Sequence, residues 1–301
     1  MSQVTVRPMA ASQLEQWRAA RASAGTPLPD AGAEREAVTV TVDGVEVGGA
    51  VLAYSAEPSG RRCAVLLLQT TVPYDAVDRW TAIARGLEDY ARRRAATEIT
   101  TAVAPALAAA FGHAGFLATM LGAERPFGPN GWAELHDDGR VTVRPMDLAE
   151  RQRFVGELRE LMLSGMTRAG VVEPGSPSLE ELKTRLVPLL EDPLPADQLV
   201  LTALIDGAPG GGLWATLAPV DGGREIHAHA LQIDAEHRGR GLGRSFLSAL
   251  NTYVAPLGAR GVRLRVYGFD RRAQQLFGVT QDTVEEIHLR KDIAAEDAAL
   301  R

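Results

Sequence analysis

Val38, Val40 and Val42 alternate with Thr39 and Thr41, and the run stops at Asp43-Gly44. A side-chain period of two ending in Asp-Gly predicts a strand that enters a tight hairpin turn. The apolar run Cys63-Ala64-Val65-Leu66-Leu67-Leu68 predicts another strand, with Cys63 a small buried side chain rather than a nucleophile. In the second half, Leu148–Met162 has helical spacing and Glu225–Ile233 reads as a long strand. A helix follows Gly243, with Phe246, Leu250 and Tyr253 on one apolar face. Val262–Tyr267 predicts a strand, Arg271–Phe277 a helix, and Val284–Leu289 a last strand. Mixed strands with helices packed on them make an α/β (α+β) sheet protein.

The pattern is written twice. Val4-Thr5-Val6-Arg7-Pro8-Met9 returns unchanged as Val141-Thr142-Val143-Arg144-Pro145-Met146, an offset of 137. Asp43-Gly44 with Gly48-Gly49 returns as Asp206-Gly207 with Gly211-Gly212, now at an offset of 163. Leu68-Gln69 against Leu231-Gln232, Tyr90 against Tyr253 and Val103 against Val266 keep the second offset. The chain is a tandem duplication whose second copy gained 26 residues between its first strand and its hairpin. A first domain over 1–127, a linker over 128–140 beginning Gly128-Pro129-Asn130-Gly131, and a second domain over 141–301 are expected.

Composition narrows the class. The 301 residues are 46% hydrophobic and 23% charged, as in ordinary globular proteins. No apolar run of about 18 residues suggests a membrane span. The start of the chain lacks a basic region followed by an apolar stretch, so no secretory signal is expected. One cysteine permits neither a disulfide framework nor a cysteine zinc site, and fits a reducing cytoplasm. A net charge of −6 argues against nucleic acid as partner. Within that acidic chain, Arg238, Arg240 and Arg244 form a basic knot suited to a small anion.

The knot lies in Ile233-Asp234-Ala235-Glu236-His237-Arg238-Gly239-Arg240-Gly241-Leu242-Gly243, running from strand to helix. Glycines let backbone approach a ligand, and a helix N-terminus offers N–H groups and a positive dipole end to a pyrophosphate. Arg244 and the loop arginines add charge-assisted hydrogen bonds. A P-loop would need Gly-Lys-Ser/Thr, and a dinucleotide fingerprint would need glycine at position 244; neither is present. The segment resembles motif A of the GNAT acyltransferase superfamily, Arg/Gln-x-x-Gly-x-Gly/Ala, through Arg238, Gly241 and Gly243. Leu264-x-Val266 and Asp270-x-x-Ala273-x-x-Leu276-Phe277 are similar to the same family's next region. The resemblance covers most of 141–292 and, more faintly, 4–127. The tandem form is similar to mycothiol synthase.

The resemblance implies two tandem GNAT-type domains, each a mixed, mostly antiparallel twisted sheet flanked by helices. It implies a V-shaped opening between the fourth and fifth strands for the pantetheine arm of acetyl-CoA or another acyl-CoA. Backbone near Leu231, Gln232 and Ile233 would hold that arm. The loop Arg238, Gly239, Arg240, Gly241, Leu242, Gly243 with Arg244 would take the pyrophosphate, and Asp270 and Phe277 would border the cosubstrate. The implied reaction is direct attack by an amine, without metal. The acceptor is expected to be a small-molecule amine, and the protein a monomer or homodimer. An alkylamine is mostly protonated at neutral pH, and neutralising it costs roughly 4–5 kcal/mol, so a general base helps. His227 and His229 alternate along one strand and share a face with Glu225. Their spacing to the loop is similar to the His-x-His pair of arylalkylamine N-acetyltransferases, and His229 stands nearer the thioester. Where the family has a tyrosine as general acid this chain has Phe277; Tyr267 is the substitute candidate.

At the 163 offset, Arg238, Gly239, Gly241 and Gly243 correspond to Asp75, Ala76, Asp78 and Trp80, and the histidines to Ala64 and Leu66. Carboxylates and a large ring stand where phosphate would approach, so the first copy is expected to be a structural partner. Phe111-Gly112-His113-Ala114-Gly115-Phe116 still looks like the family's ending, so its fold is expected to persist. The insertion around Ser164–Asp197 corresponds to the region that covers the acceptor site in such folds. Its Glu173, Glu180 and Glu181 could meet a cation or solvate a helix. Two other functions stay open: an acyl-CoA sensor without turnover, and transfer of a bulkier acyl or aminoacyl group.

Overall fold

The computed structural model describes residues 2–23, 34–126, 138–173, 175–176, 178–280 and 282–293. The first copy runs β1 (Val4–Pro8), α1 (Ala11–Ser23), β2 (Arg35–Val42), β3 (Val45–Glu57), β4 (Gly60–Thr70), α2 (Val77–Arg93), β5 (Glu98–Val103), α3 (Ala108–His113) and β6 (Leu117–Pro126). The second runs β7 (Val141–Pro145), α4 (Leu148–Arg168), α5 (Ser178–Leu186), β8 (Gln198–Ile205), β9 (Ala208–Val220), β10 (Gly223–Ile233), α6 (Leu242–Val254), β11 (Ala259–Tyr267), α7 (Arg271–Leu276) and β12 (Val284–Asp292). β8, β9 and β10 match β2, β3 and β4 end for end. Helix α5 and the short 3₁₀ turn Val187–Leu190 lie in the insertion and have no counterpart among the described residues.

Local chemistry accounts for these elements. Both hairpins turn on an Asp-Gly pair with two positive φ values, 52° and 82° at Asp43-Gly44 and 51° and 85° at Asp206-Gly207. That geometry suits the twist of the strands it joins. Helix α4 starts at a capping box, in which the Asp147 carboxylate accepts from the Glu150 N–H and Glu150 accepts from the Asp147 N–H. The repeated glycine of the third strand has a packing reason. A Cβ on Gly212 would stand 2.6 Å from the Phe154 ring and 2.7 Å from the Met146 methyl; on Gly49 it would stand 2.7 Å from the Met9 methyl.

The chain packs as two compact units that differ from the two sequence copies. One comprises residues to Thr119, Glu173–Ser176 and residues from Glu286; the other comprises Met120–Val172 and Pro177–Glu285. The strand order is β1-β2-β3-β4-β5-β12 in the first unit and β7-β8-β9-β10-β11-β6 in the second. Each copy thus gives its last strand to the other's unit. Among the described residues, only β4–β5 and β10–β11 pair in parallel; the other pairings inside the units are antiparallel. Of the linker expected over 128–140, residues 128–137 lie outside the described residues. Asp138 and Arg140, at its end, already belong to the second unit.

In the first unit, Ile83, Leu87 and Tyr90 of α2 are buried with Val38, Val40 and Cys63. Burial pushes the Cys63 thiol up to about 12, so it is inert at neutral pH. The borrowed β12 is locked in: Leu289 and Ile293 join the core, Arg290 bonds Glu98, and buried Lys291 stands 2.8 Å from Glu88. In the second unit, Phe246, Leu247 and Leu250 of α6 cover one sheet face with Ile226, Leu264 and Val266. Phe154 and Leu158 of α4, Leu182 and Leu186 of α5, and Leu189 pack with Val200 and Trp214. Among the described residues, no helix is long and apolar enough to cross a membrane.

Candidate functional site

Strands β10 and β11 pair only as far as Ala228–Leu264, although they run on to Ile233 and Tyr267. At the same place the β9–β10 register skips His229: Ala228 faces Ala215, and Ala230 faces Trp214. A bulge bends its strand and re-aims the residues beyond it. Past Leu264, β11 keeps its antiparallel partner β6 through Tyr267–Met120. Residues 229–233 therefore have no ladder to β11, and the opening expected between these strands is present. The bulge also resets the alternation. Ala228, Leu231 and Ile233 pack on the α6 side, whereas Ala230 packs beside Trp214. Leu231, Gln232 and Ile233 are half-buried, and the Gln232 amide lies 3.4 Å from Glu157.

The loop after β10 enters α6 through Gly239 and Gly241, both at φ 77°. An L side chain is strained there. Gly241 is the N-cap residue, and no side chain caps the helix. Gly243 serves packing instead, since a Cβ would meet Leu276 at 3.0 Å. Arg238 turns back so that Nε donates to the Ile233 carbonyl at 2.8 Å. Arg240 stands 3.3 Å from His237 Nδ1 and 3.8 Å from Asp206. Both arginines and Arg244 are exposed. A brace unforeseen from sequence holds the loop: Arg140 donates to the Arg240 carbonyl at 3.2 Å and to Ser245, and Ser245 donates to Asp138 at 2.8 Å. Residues a hundred positions apart leave no local signal of such a contact.

The histidines share the face that carries Trp214. Half-buried His227 Nε2 lies 2.7 Å from the Glu225 carboxylate, which also pairs with Arg263 at 3.3 Å. His229 Nε2 lies 2.8 Å from the Thr216 hydroxyl, and its ring packs 4.4 Å from that of Trp214. Burial first, then the charges of Arg185, His227 and Arg265, pull His229 down to about 4. His229 is thus neutral at pH 7 and a weak proton acceptor. Trp214 and Thr216 of β9, Arg265 of β11, and Arg185 of the inserted helix were not anticipated. Nothing in their sequence context marks them; the fold gathers them.

The remaining candidates are dispersed. Tyr267 sits against α4, where a Cβ on Gly165 would meet its ring at 2.5 Å, and it stacks on Phe269. Burial raises its hydroxyl to about 12. Asp270 is the N-cap of α7 and accepts from the Ala273 N–H at 3.0 Å. Phe277 closes the same helix and packs on the α6-side core. In the insertion, Glu173 accepts from Ser59, and Glu180 pairs with Lys183. The side chain of Glu181 lies outside the described residues. Among the described residues, no group of three His, Cys, Asp or Glu side chains could hold a metal ion.

The first unit has the same strand geometry around a different loop. The β4–β5 ladder ends at Val65–Thr101, and the β3–β4 register skips Leu66. There the Pro73 carbonyl accepts from the Ala76 N–H at 3.1 Å and from the Trp80 indole at 2.9 Å.

Comparison of the sequence with protein-family models and with curated proteins returns no match. Solved structures do match. A GCN5-related N-acetyltransferase from Sphaerobacter thermophilus aligns over 96% of both chains, with TM-score 0.50 and 15% identity. The glucosamine N-acetyltransferase region of a fungal multi-domain GH3 β-N-acetylglucosaminidase aligns with 96% of this chain and 38% of that one, with TM-score 0.51 and 12% identity. A tandem GNAT protein from the clavulanic acid biosynthesis pathway aligns over 97% of this chain and 99% of its own, with TM-score 0.47 and 14% identity. The chain has the fold of the GCN5-related N-acetyltransferase structures with which it aligns at TM-scores of 0.50 and 0.51.

Proposed function

We propose that the second unit is an acyl-CoA-dependent N-acyltransferase, moving acetyl from acetyl-CoA to a primary amine by direct attack. One observation carries this: a parallel ladder opens at a bulge, directly before a helix N-terminus entered through two left-handed glycines. The residues present suit the cosubstrate. The free edge of 229–233 offers backbone groups to the amides of a pantetheine arm. The uncapped start of α6, with Arg240 and Arg244, suits a pyrophosphate. Arg238, spent on the Ile233 carbonyl, positions the loop. Bound acetyl-CoA supplies the electrophilic thioester carbonyl.

His227 is the better base of the pair. With Nε2–H donated to Glu225, Nδ1 is left unprotonated, and the carboxylate stabilises the cation that forms when it takes the amine's proton. His229, held neutral, hydrogen-bonds and packs beside the reacting groups. Tyr267 keeps its proton at neutral pH, and a thiolate whose ordinary pKa is about 8.5 leaves without its help.

The test is thiol release from acetyl-CoA by the full chain across an amine panel, with mass spectrometry of the products. Acylated amine with matching thiol is the expected result. Tight acetyl-CoA binding without release for any amine would replace acyl transfer with acyl-CoA sensing.

A further inference from the structure

Three strands put His227, Arg263 and Glu124 in one row. His227 of β10 is the register partner of Arg263 on β11, and Arg263 is the register partner of Glu124 on β6. Register partners on neighbouring strands point to the same side of the sheet, here the side away from the α6 core that takes Leu264 and Val266. Buried Glu225 shares that side, two residues before His227. One of its oxygens, Oε2, serves two donors: His227 Nε2 at 2.7 Å and Arg263 Nε at 3.3 Å. Glu124 holds the other end of the guanidinium, 2.6 Å from Nη2, while Glu285 stands farther off at 3.6 Å. Burial first, then the neighbouring Glu124, raises the Glu285 carboxyl. Two further cations, Arg185 and Arg265, act on His229, the other histidine of the pair. The matching row of the first unit reads Ala64, Thr100 and Arg290, with neither a base nor a carboxylate.

Resting on the acyl-transfer proposal above, we infer that Glu124, carried into the second unit by the last strand of the first copy, is a positioning residue for His227. Its hold on Arg263 keeps the guanidinium from taking Glu225 Oε2, so Glu225 stays aimed at the His227 Nε2–H while Nδ1 receives the amine's proton. Two strand spacings, roughly 10 Å, separate Glu124 from His227. That is about one Debye length at physiological salt, so Glu124 acts through Arg263 rather than directly. The first copy then contributes a charge to this site as well as a strand.

The experiment measures thiol release by the full chain from acetyl-CoA and the best amine of the panel, as kcat/KM between pH 5.5 and 8.5. A base works only when unprotonated, so the acid limb reports how strongly its surroundings favour the cation. The amine's own titration is common to all variants and cancels in the comparison. Glu124→Gln frees Arg263 to take Glu225, so the limb should move to lower pH and the ratio of pH 5.5 to pH 8.5 rates rise about threefold. Arg263→Gln leaves Glu225 to His227 alone, so the same ratio should fall about threefold. Opposite signs from the two partners of one ion pair are not what loss of structure gives. KM for acetyl-CoA should hold in both variants, and neither change should move the ratio once His227→Gln is present. A parental ratio in Glu124→Gln, shifts of one sign in both variants, or the same shifts without His227 would overturn the inference and leave acyl transfer standing. No thiol release with any amine would overturn both proposals.

Discussion

The two strand-to-helix loops follow strands of matching register and ladder length, each with one skipped residue, Leu66 or His229. One loop spends its groups internally, through Trp80 and Ala76 on the Pro73 carbonyl. The other enters its helix through Gly239 and Gly241, both at φ 77°; neither helix start has a side-chain cap. The opening of the strands is therefore a property of the sheet, which persists without a phosphate loop. What distinguishes the two units here is a handful of side chains and two backbone angles.

The strongest way to break the comparison is to separate the copies. Residues 1–140 and 141–301 expressed alone should each fail to give a cooperative melt by circular dichroism, and co-expression should restore it. Each lacks the strand that completes its unit. Next, Gly241→Asp gives the loop before α6 the residue that stands at the matching position, Asp78, in the first copy. Aspartate tolerates a left-handed backbone better than most residues, so the fold should remain while calorimetric acetyl-CoA affinity falls more than a hundredfold, about 2.7 kcal/mol.

His227→Gln should lower kcat about a hundredfold at pH 7, with the deficit shrinking as pH rises and more amine is neutral. His229→Gln tests the buried face. The unfolded chain protonates His229 below its ordinary 6.5, the folded chain only below about 4. Protons thus favour unfolding as pH falls through that window. The variant's Tm should gain on the parent's between pH 6.5 and 4 and hold a constant gap above pH 7. The smallest effect should come from Trp80→Phe, which removes the indole bond and costs about 1 kcal/mol of stability with acetyl-CoA affinity unaltered.

Much of the architecture was legible because it occurs twice. The duplicated register places β8 to β10 by β2 to β4, and strand-loop-helix spacing placed the glycines. Pairing choice was not legible. The alternation over Val284–Leu289 shows which face is buried, yet says nothing about which strand lies alongside, so the exchange of β6 and β12 stayed hidden. The bulge at His229 was equally silent, since a skipped register depends on the partner strand. Alternation did bring His227 and His229 to one face. What surrounds His229 was not legible, because Trp214, Arg185 and Arg265 come to it only after folding.

The exchanged strands also set a timetable. Lys291 and Glu88 are 203 positions apart, and Arg290 and Glu98 are 192. The first unit, whose other strands are made before the second copy, cannot close until β12 has been made, so Glu88 and the open edge of β5 wait until then. Such long-range closure slows folding and lengthens exposure to aggregation. It also means that the first copy cannot be discarded: its last strand is the wall on which the second unit finishes folding.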